Sequence, residues 1–183
     1  LEKPAVGLVT HGPEVTVLGP QVALVVASPD AGLLYIFAIS SLGVYGVVMG
    51  GWASNNKYSL LGGMRAVAQM ISYEVPLILS SVTVIMAVGS LSTVEIVRAQ
   101  EGYSAGLPHW HVLTPWGLTG FVLFMISATA ESNRSPFDIP EGESEIVAGY
   151  FVEYSGFKFA MFFMGEYLAM FAVSALAITL FLG

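Results

Sequence analysis

The stretch Ala31-Gly-Leu-Leu-Tyr-Ile-Phe-Ala-Ile-Ser-Ser-Leu-Gly-Val-Tyr-Gly-Val-Val-Met-Gly-Gly-Trp52 carries no formal charge from end to end. A helix needs roughly 20 mostly apolar residues to cross the hydrocarbon layer of a bilayer. This segment meets that requirement and decides the fold class. The rest of the chain agrees with it. Apolar residues make up 55% of the 183, charged residues only 10%, and mean hydropathy is +0.75. A soluble domain has about 45–50% apolar and about 25% charged residues. Charge is missing from whole stretches rather than thinned evenly, the pattern of a chain solvated by lipid.

Working outward, three further segments qualify as spans. Val75–Val94 is one, with its helix beginning earlier, near Tyr58; Val112–Ala130 is another, with Pro115 near its start. Phe159–Leu182 is the last, interrupted only by Glu166. The expected architecture is all-α, a polytopic bundle of about four spans over residues 31–183. Residues 1–30, rich in Gly, Pro and Val, read as an extra-membrane lead-in. Residues 53–58 form a polar turn, and Thr93 to Gln100 a short surface helix followed by a loop with His109, Trp110 and His111. A long loop at 131–157 holds six of the thirteen acids. Lys57, Arg65, Arg134 and Lys158 fall near one side and Lys3 and Arg98 on the other, so the positive-inside rule puts the 131–157 loop in the cytoplasm of a multi-pass protein of the cell inner (plasma) membrane. The abrupt start at Leu1 and the end out of an apolar run read as cuts from something longer.

Several chemistries are excluded by composition. Without cysteine there is no disulfide, thiolate nucleophile, iron–sulfur ligation or Cys-type zinc site. A net charge of −7 with no basic patch does not fit nucleic acid. No hydrolytic triad can be assembled. His11, His109 and His111 fall in expected external loops without a matching set of acids, so solvated histidines are the reading and no metal site is assigned. Gly50-Gly51 and Gly62-Gly63 lack a phosphate-loop pattern and fit close helix packing.

The chemistry that remains is carboxylate chemistry inside a membrane. Arg65, Gln69 and Tyr73 stand at i, i+4 and i+8, a polar stripe on an apolar helix whose end can lie among headgroups. Glu74 lies about nine residues beyond Arg65, roughly 13 Å deeper at about 1.5 Å per residue. An ionisable group at that depth usually faces a partner or a water-filled path. Glu166 sits within an apolar span on the same terms; the alternative for both is a protonated side chain bonded to a neighbouring helix. The densest signal is Glu131-Ser-Asn-Arg-Ser-Pro-Phe-Asp-Ile-Pro-Glu-Gly-Glu-Ser-Glu145. Asp138 and Glu141 look like a capping box, which places Asp138, Glu141 and Glu145 on one helix face and Glu143 elsewhere.

Gly51 to Glu74, Ala130 to Tyr154 and Phe162-Phe-Met-Gly-Glu-Tyr167 together closely resemble the H subunit family of respiratory complex I, NADH:quinone oxidoreductase, known as subunit 1 in mitochondria. The likeness runs from about residue 30 to the end. It implies a subunit of a proton-pumping translocase of the respiratory chain, not catalytic alone, that helps form the quinone chamber. By motif, Arg134, Asp138, Glu141, Glu143 and Glu145 would line the quinone-side loop. Glu74, Glu131 and Glu166 would belong to the intramembrane proton path, with Glu153 and Tyr154 nearby. Quinone would be substrate, and FMN and iron–sulfur clusters would reside in partner subunits rather than on this chain. The implied partners are peripheral-arm quinone-module subunits, small membrane subunits and lipid. The family has about eight spans and this chain room for about half, so much of the chamber wall is not represented. An equivalent coupling subunit of a membrane-bound hydrogenase-type complex is the alternative. A free-standing transporter is disfavoured by the absence of inverted repeats, and an anchor with inert acids is the blandest reading.

Overall fold

The structure is a computed structural model and describes residues 14–15, 22–23, 29–104, 107–137, 149–151 and 153–183. Within them the chain is built from five helices: α1 (Gly32–Ala53), α2 (Lys57–Val88), α3 (Thr93–Ala99), α4 (Pro115–Glu131) and α5 (Phe157–Phe181). Two two-residue antiparallel ladders, Glu14–Val15 with Val22–Ala23 and Tyr103–Ser104 with Leu107–Pro108, are the only strands among the described residues. The all-α expectation holds.

Each boundary has a local cause. α1 ends where Asn55 takes the left-handed conformation (φ 53°), which asparagine tolerates better than most residues. Asn56 then caps α2, its side-chain oxygen accepting the Tyr58 N–H at 3.0 Å. α2 runs on for 32 residues, about 48 Å at about 1.5 Å per residue, so it exceeds the roughly 30 Å hydrocarbon layer. Its polar N-terminal third therefore has room to stand in the interface. The second span does not reach Val94: Gly89 adopts φ 77° and its N–H bonds the Ile85 carbonyl at 2.7 Å, closing the helix at Val88. Val94 instead belongs to α3, where Ile96 is buried and Glu95 and Arg98 are solvent-facing. Thr114 caps α4, accepting the Gly117 N–H at 3.1 Å, and Pro115 occupies the first helical position.

Three helices, α1, α2 and α5, are long and apolar enough to cross a membrane. α4, with 17 residues, stands at the short end of the spanning range.

The packing is that of a bundle in lipid. Trp52, Met86, Phe157 and Phe171 are exposed, while Ser59, Gln69, Ser80, Ser81 and Ser127 are buried. A soluble protein would not leave such a surface open to water. Small residues let the helices approach: a Cβ on Gly63 would stand 3.4 Å from the Gly51 Cα, so α1 and α2 cross at glycines. One core cluster gathers Leu33, Phe37, Leu77, Val84, Ile96, Phe124 and Phe181. A second, around Ala66, Tyr150 and Phe151, sits at the end where the α1–α2 turn and the 149–151 turn meet. The polar groups of interest lie between the two.

Candidate functional site

α2 places Glu74 half-buried, and the Ser41 hydroxyl on α1 donates a hydrogen bond to its Oε1. Glu131 closes α4, and its Oε2 is buried with no hydrogen-bond partner among the described residues. The two carboxyl groups come from different helices yet are close enough to act on one another electrostatically. Glu131 also lines an apolar cleft of about 410 Å³ between α1, α2 and α5, walled by residues such as Phe37, Met70, Leu77 and Leu176. Apolar walls of this kind make a charged carboxylate costly to hold.

The turn after α4 is fastened to α2. Gln69 is buried, and its Nε2 donates to the Ala130 and Phe137 carbonyls at 2.7 Å each and to Asn133 Oδ1 at 3.2 Å. One turn along α2, the Tyr73 ring packs on Phe137 with centroids 5.3 Å apart. Asn133 sits at φ 49°, the left-handed conformation that lets the chain leave the helix. The Gln69 and Tyr73 members of the polar stripe are thus a clamp on the segment that carries Glu131 and Arg134. Arg134 lays its guanidinium 4.8 Å from the Tyr167 ring centroid on α5, while its Nε and Nη2 are buried without hydrogen-bond partners among the described residues. Arg65 is half-buried.

Glu166 on α5 is half-buried and accepts from the Tyr150 hydroxyl at 3.4 Å. Glu153 is exposed and accepts from Asn56 Nδ2 at 2.7 Å, next to the α1–α2 turn. The Tyr154 hydroxyl donates to the Gly50 carbonyl at 2.7 Å, and Ser59 to the Tyr150 carbonyl at 3.1 Å. Glu153 therefore stands at the rim, apart from the Glu74–Glu131 pair. Asp138, Glu141, Glu143 and Glu145, with the expected capping box, lie outside the described residues.

At the opposite end the histidine expectation needs correcting. His109 is exposed as expected, but His111 is buried: it starts a 3₁₀ turn, its N–H bonds Gln100 Oε1 at 3.2 Å, and its ring packs on Trp116 at 5.4 Å. Burial lowers its pKa by desolvating the cation. Gln100 also donates to the Thr179 and Leu180 carbonyls at 3.1 and 3.4 Å, tying α3 to the end of α5. Nothing in the local sequence marks Gln100, Ser41 or Asn133; their roles arise from helices that meet only in the fold.

A family model described as NADH dehydrogenase matches residues 5–183. The chain belongs to that family. It is similar to the H subunit of NADH-quinone oxidoreductase from Protochlamydia amoebophila, with 49% identity over 176 residues, covering 96% of this chain and 52% of the relative. It is also similar to an H subunit of NADH-quinone oxidoreductase from Syntrophobacter fumaroxidans, with 52% identity over 179 residues, covering 96% and 51%. The corresponding H subunit from Bacillus mycoides shares 55% identity over 157 residues, covering 86% and 45%. The chain thus spans about half the length of the curated relatives it matches. The NADH dehydrogenase family match begins at residue 5, well before the first of the motifs that carried the resemblance.

Proposed function

We propose that this chain forms part of the membrane subunit of a proton-translocating NADH:quinone oxidoreductase, contributing one wall of the quinone chamber and the acidic path that couples quinone reduction to proton movement. The observation that carries the reading is the convergence of Glu74 and Glu131 from α2 and α4 inside a lipid-facing bundle, one bonded to Ser41 and the other with a buried Oε2 that has no hydrogen-bond partner among the described residues. Two carboxyl groups in electrostatic contact at low dielectric act strongly on one another, so a charge change nearby is felt by both.

In this reading, electrons arrive from NADH through flavin and iron–sulfur clusters in partner subunits, and quinone is the substrate. Its reduction beside the 131–157 loop takes up protons and alters the local field. Arg134, Asp138, Glu141, Glu143 and Glu145 face that event. Glu131 and Glu74 receive the change, with Ser41 positioned to pass a proton, and Glu166 and Glu153 extend the path. The subunit crosses the cell inner membrane several times, with the acidic loop on the cytoplasmic side and residues 1–30 outside the bilayer.

The test uses the full-length subunit in its parent complex, reconstituted into vesicles. Glu74→Gln and Glu131→Gln are expected to depress proton translocation and quinone reduction together, while NADH oxidation by a water-soluble artificial acceptor is unaffected. Pumping and reductase rates unchanged in both variants would leave the acids as inert parts of an anchor.

A further inference from the structure

Resting on that reading, we propose that Gln69 is a positioning residue whose carboxamide sets the separation of the Glu74 and Glu131 carboxyl groups. Gln69 is 7% exposed, and its Nε2 has three acceptors on one short segment: the Ala130 and Phe137 carbonyls and Asn133 Oδ1. The two shortest bonds go to main-chain carbonyls, which only accept. The amide therefore cannot be turned over, and its orientation is fixed by chemistry. Its Oε1 is left buried with no partner among the described residues. A side chain needed only to fill space could be apolar at this position and would avoid that orphan acceptor.

The geometry converts this bond set into a spacing device. Ala130 directly precedes Glu131, and Gln69 lies five residues before Glu74 on the same continuous helix. One amide thus joins the backbone beside one acid to the helix that carries the other. Phe137, held at its carbonyl by Gln69 and at its ring by Tyr73, directly precedes Asp138 in the acidic loop.

In the parent complex, Gln69→Met keeps the volume and removes the donors. It is expected to lower the number of protons moved per electron, because the spacing through which the two acids act on one another is no longer held. NADH oxidation by a soluble acceptor stays at the wild-type rate. Asn133→Gly removes only the 3.2 Å acceptor and suits φ 49°, so it is expected to give a smaller loss in the same sense. If Gln69→Met does not assemble, Asn133→Gly decides. A ratio of protons to electrons equal to wild type overturns the proposal, even where the amount of complex falls, because a merely structural glutamine changes quantity and not stoichiometry. Glu131→Gln run in parallel separates the two claims. A silent Glu131→Gln overturns the acidic-path reading and this proposal with it; loss of pumping there beside a silent Gln69→Met overturns the positioning role alone.

Discussion

Replacing Gly62 by alanine puts a methyl group where the structure has backbone. The new Cβ would stand 2.8 Å from the Gly149 Cα, 2.9 Å from the Gly149 carbonyl carbon and 3.1 Å from the Tyr150 nitrogen. Carbon–carbon contacts are comfortable at about 3.5–4.0 Å, so the 149–151 turn must retreat from α2 by about 1 Å. Backbone cannot swing aside as a flexible side-chain end can. Overpacking of this kind costs about 1–3 kcal/mol. The retreat also stretches the buried 3.1 Å bond from Ser59 to the Tyr150 carbonyl, worth about 1 kcal/mol. Against these stands a gain of about 1 kcal/mol from alanine's helix propensity. The net loss is about 1–3 kcal/mol, or about 2–12 °C in melting temperature for a unit of this size. Gly43→Ala is the internal control: it lies on α1 with nothing within 4 Å of the added Cβ, so only the propensity gain applies. The assay is thermal inactivation of the purified parent complex carrying each variant. A Gly62→Ala complex as heat-resistant as Gly43→Ala would refute the claim that α2 and the turn meet backbone to backbone.

Two other outcomes are expected. Phe124→Ala empties a fully buried position against Phe181, and because the chain's alternative solvent is lipid, the loss should be about 1–3 kcal/mol in detergent unfolding, below the roughly 3–5 kcal/mol typical of water-solvated cores. His111 should make the end where α3, α4 and α5 meet acid-sensitive. Its folded pKa lies below the ordinary 6.5, so the unfolded state binds protons first and stability falls as pH drops below about 6.5; His111→Gln should flatten that dependence in a pH series of melting curves.

How far these features could be read from residues alone depended on what each signal reports. The apolar runs located α1 and α5 to within about two residues because hydropathy measures what lipid selects. It overran the end of α2, since a window average does not register a single left-handed Gly89. The number of spans was set by α4, whose Thr114 cap and exit at Ser132 leave it only 17 residues. Glu74, Glu131 and Gln69 could be picked out singly because polar groups in apolar helices are costly. Their convergence could not. α1, α4 and α5 are apolar nearly all round and carry no stripe to say which face turns toward α2, so the partner of each acid is decided only by packing. His111 escaped for a related reason: its burial depends on Gln100 and Trp116, which close over it only when α3, α4 and α5 come together.

Redox-difference infrared spectroscopy of the parent complex, recorded as quinone is reduced, asks directly whether these acids respond to the reaction. Wild type should show a change in the carboxyl C=O stretch region that disappears in Glu131→Gln and is altered in Glu74→Gln. A difference spectrum identical in all three, with quinone still being reduced, would contradict the claim that buried carboxyl groups of this bundle sense the chemistry beside them.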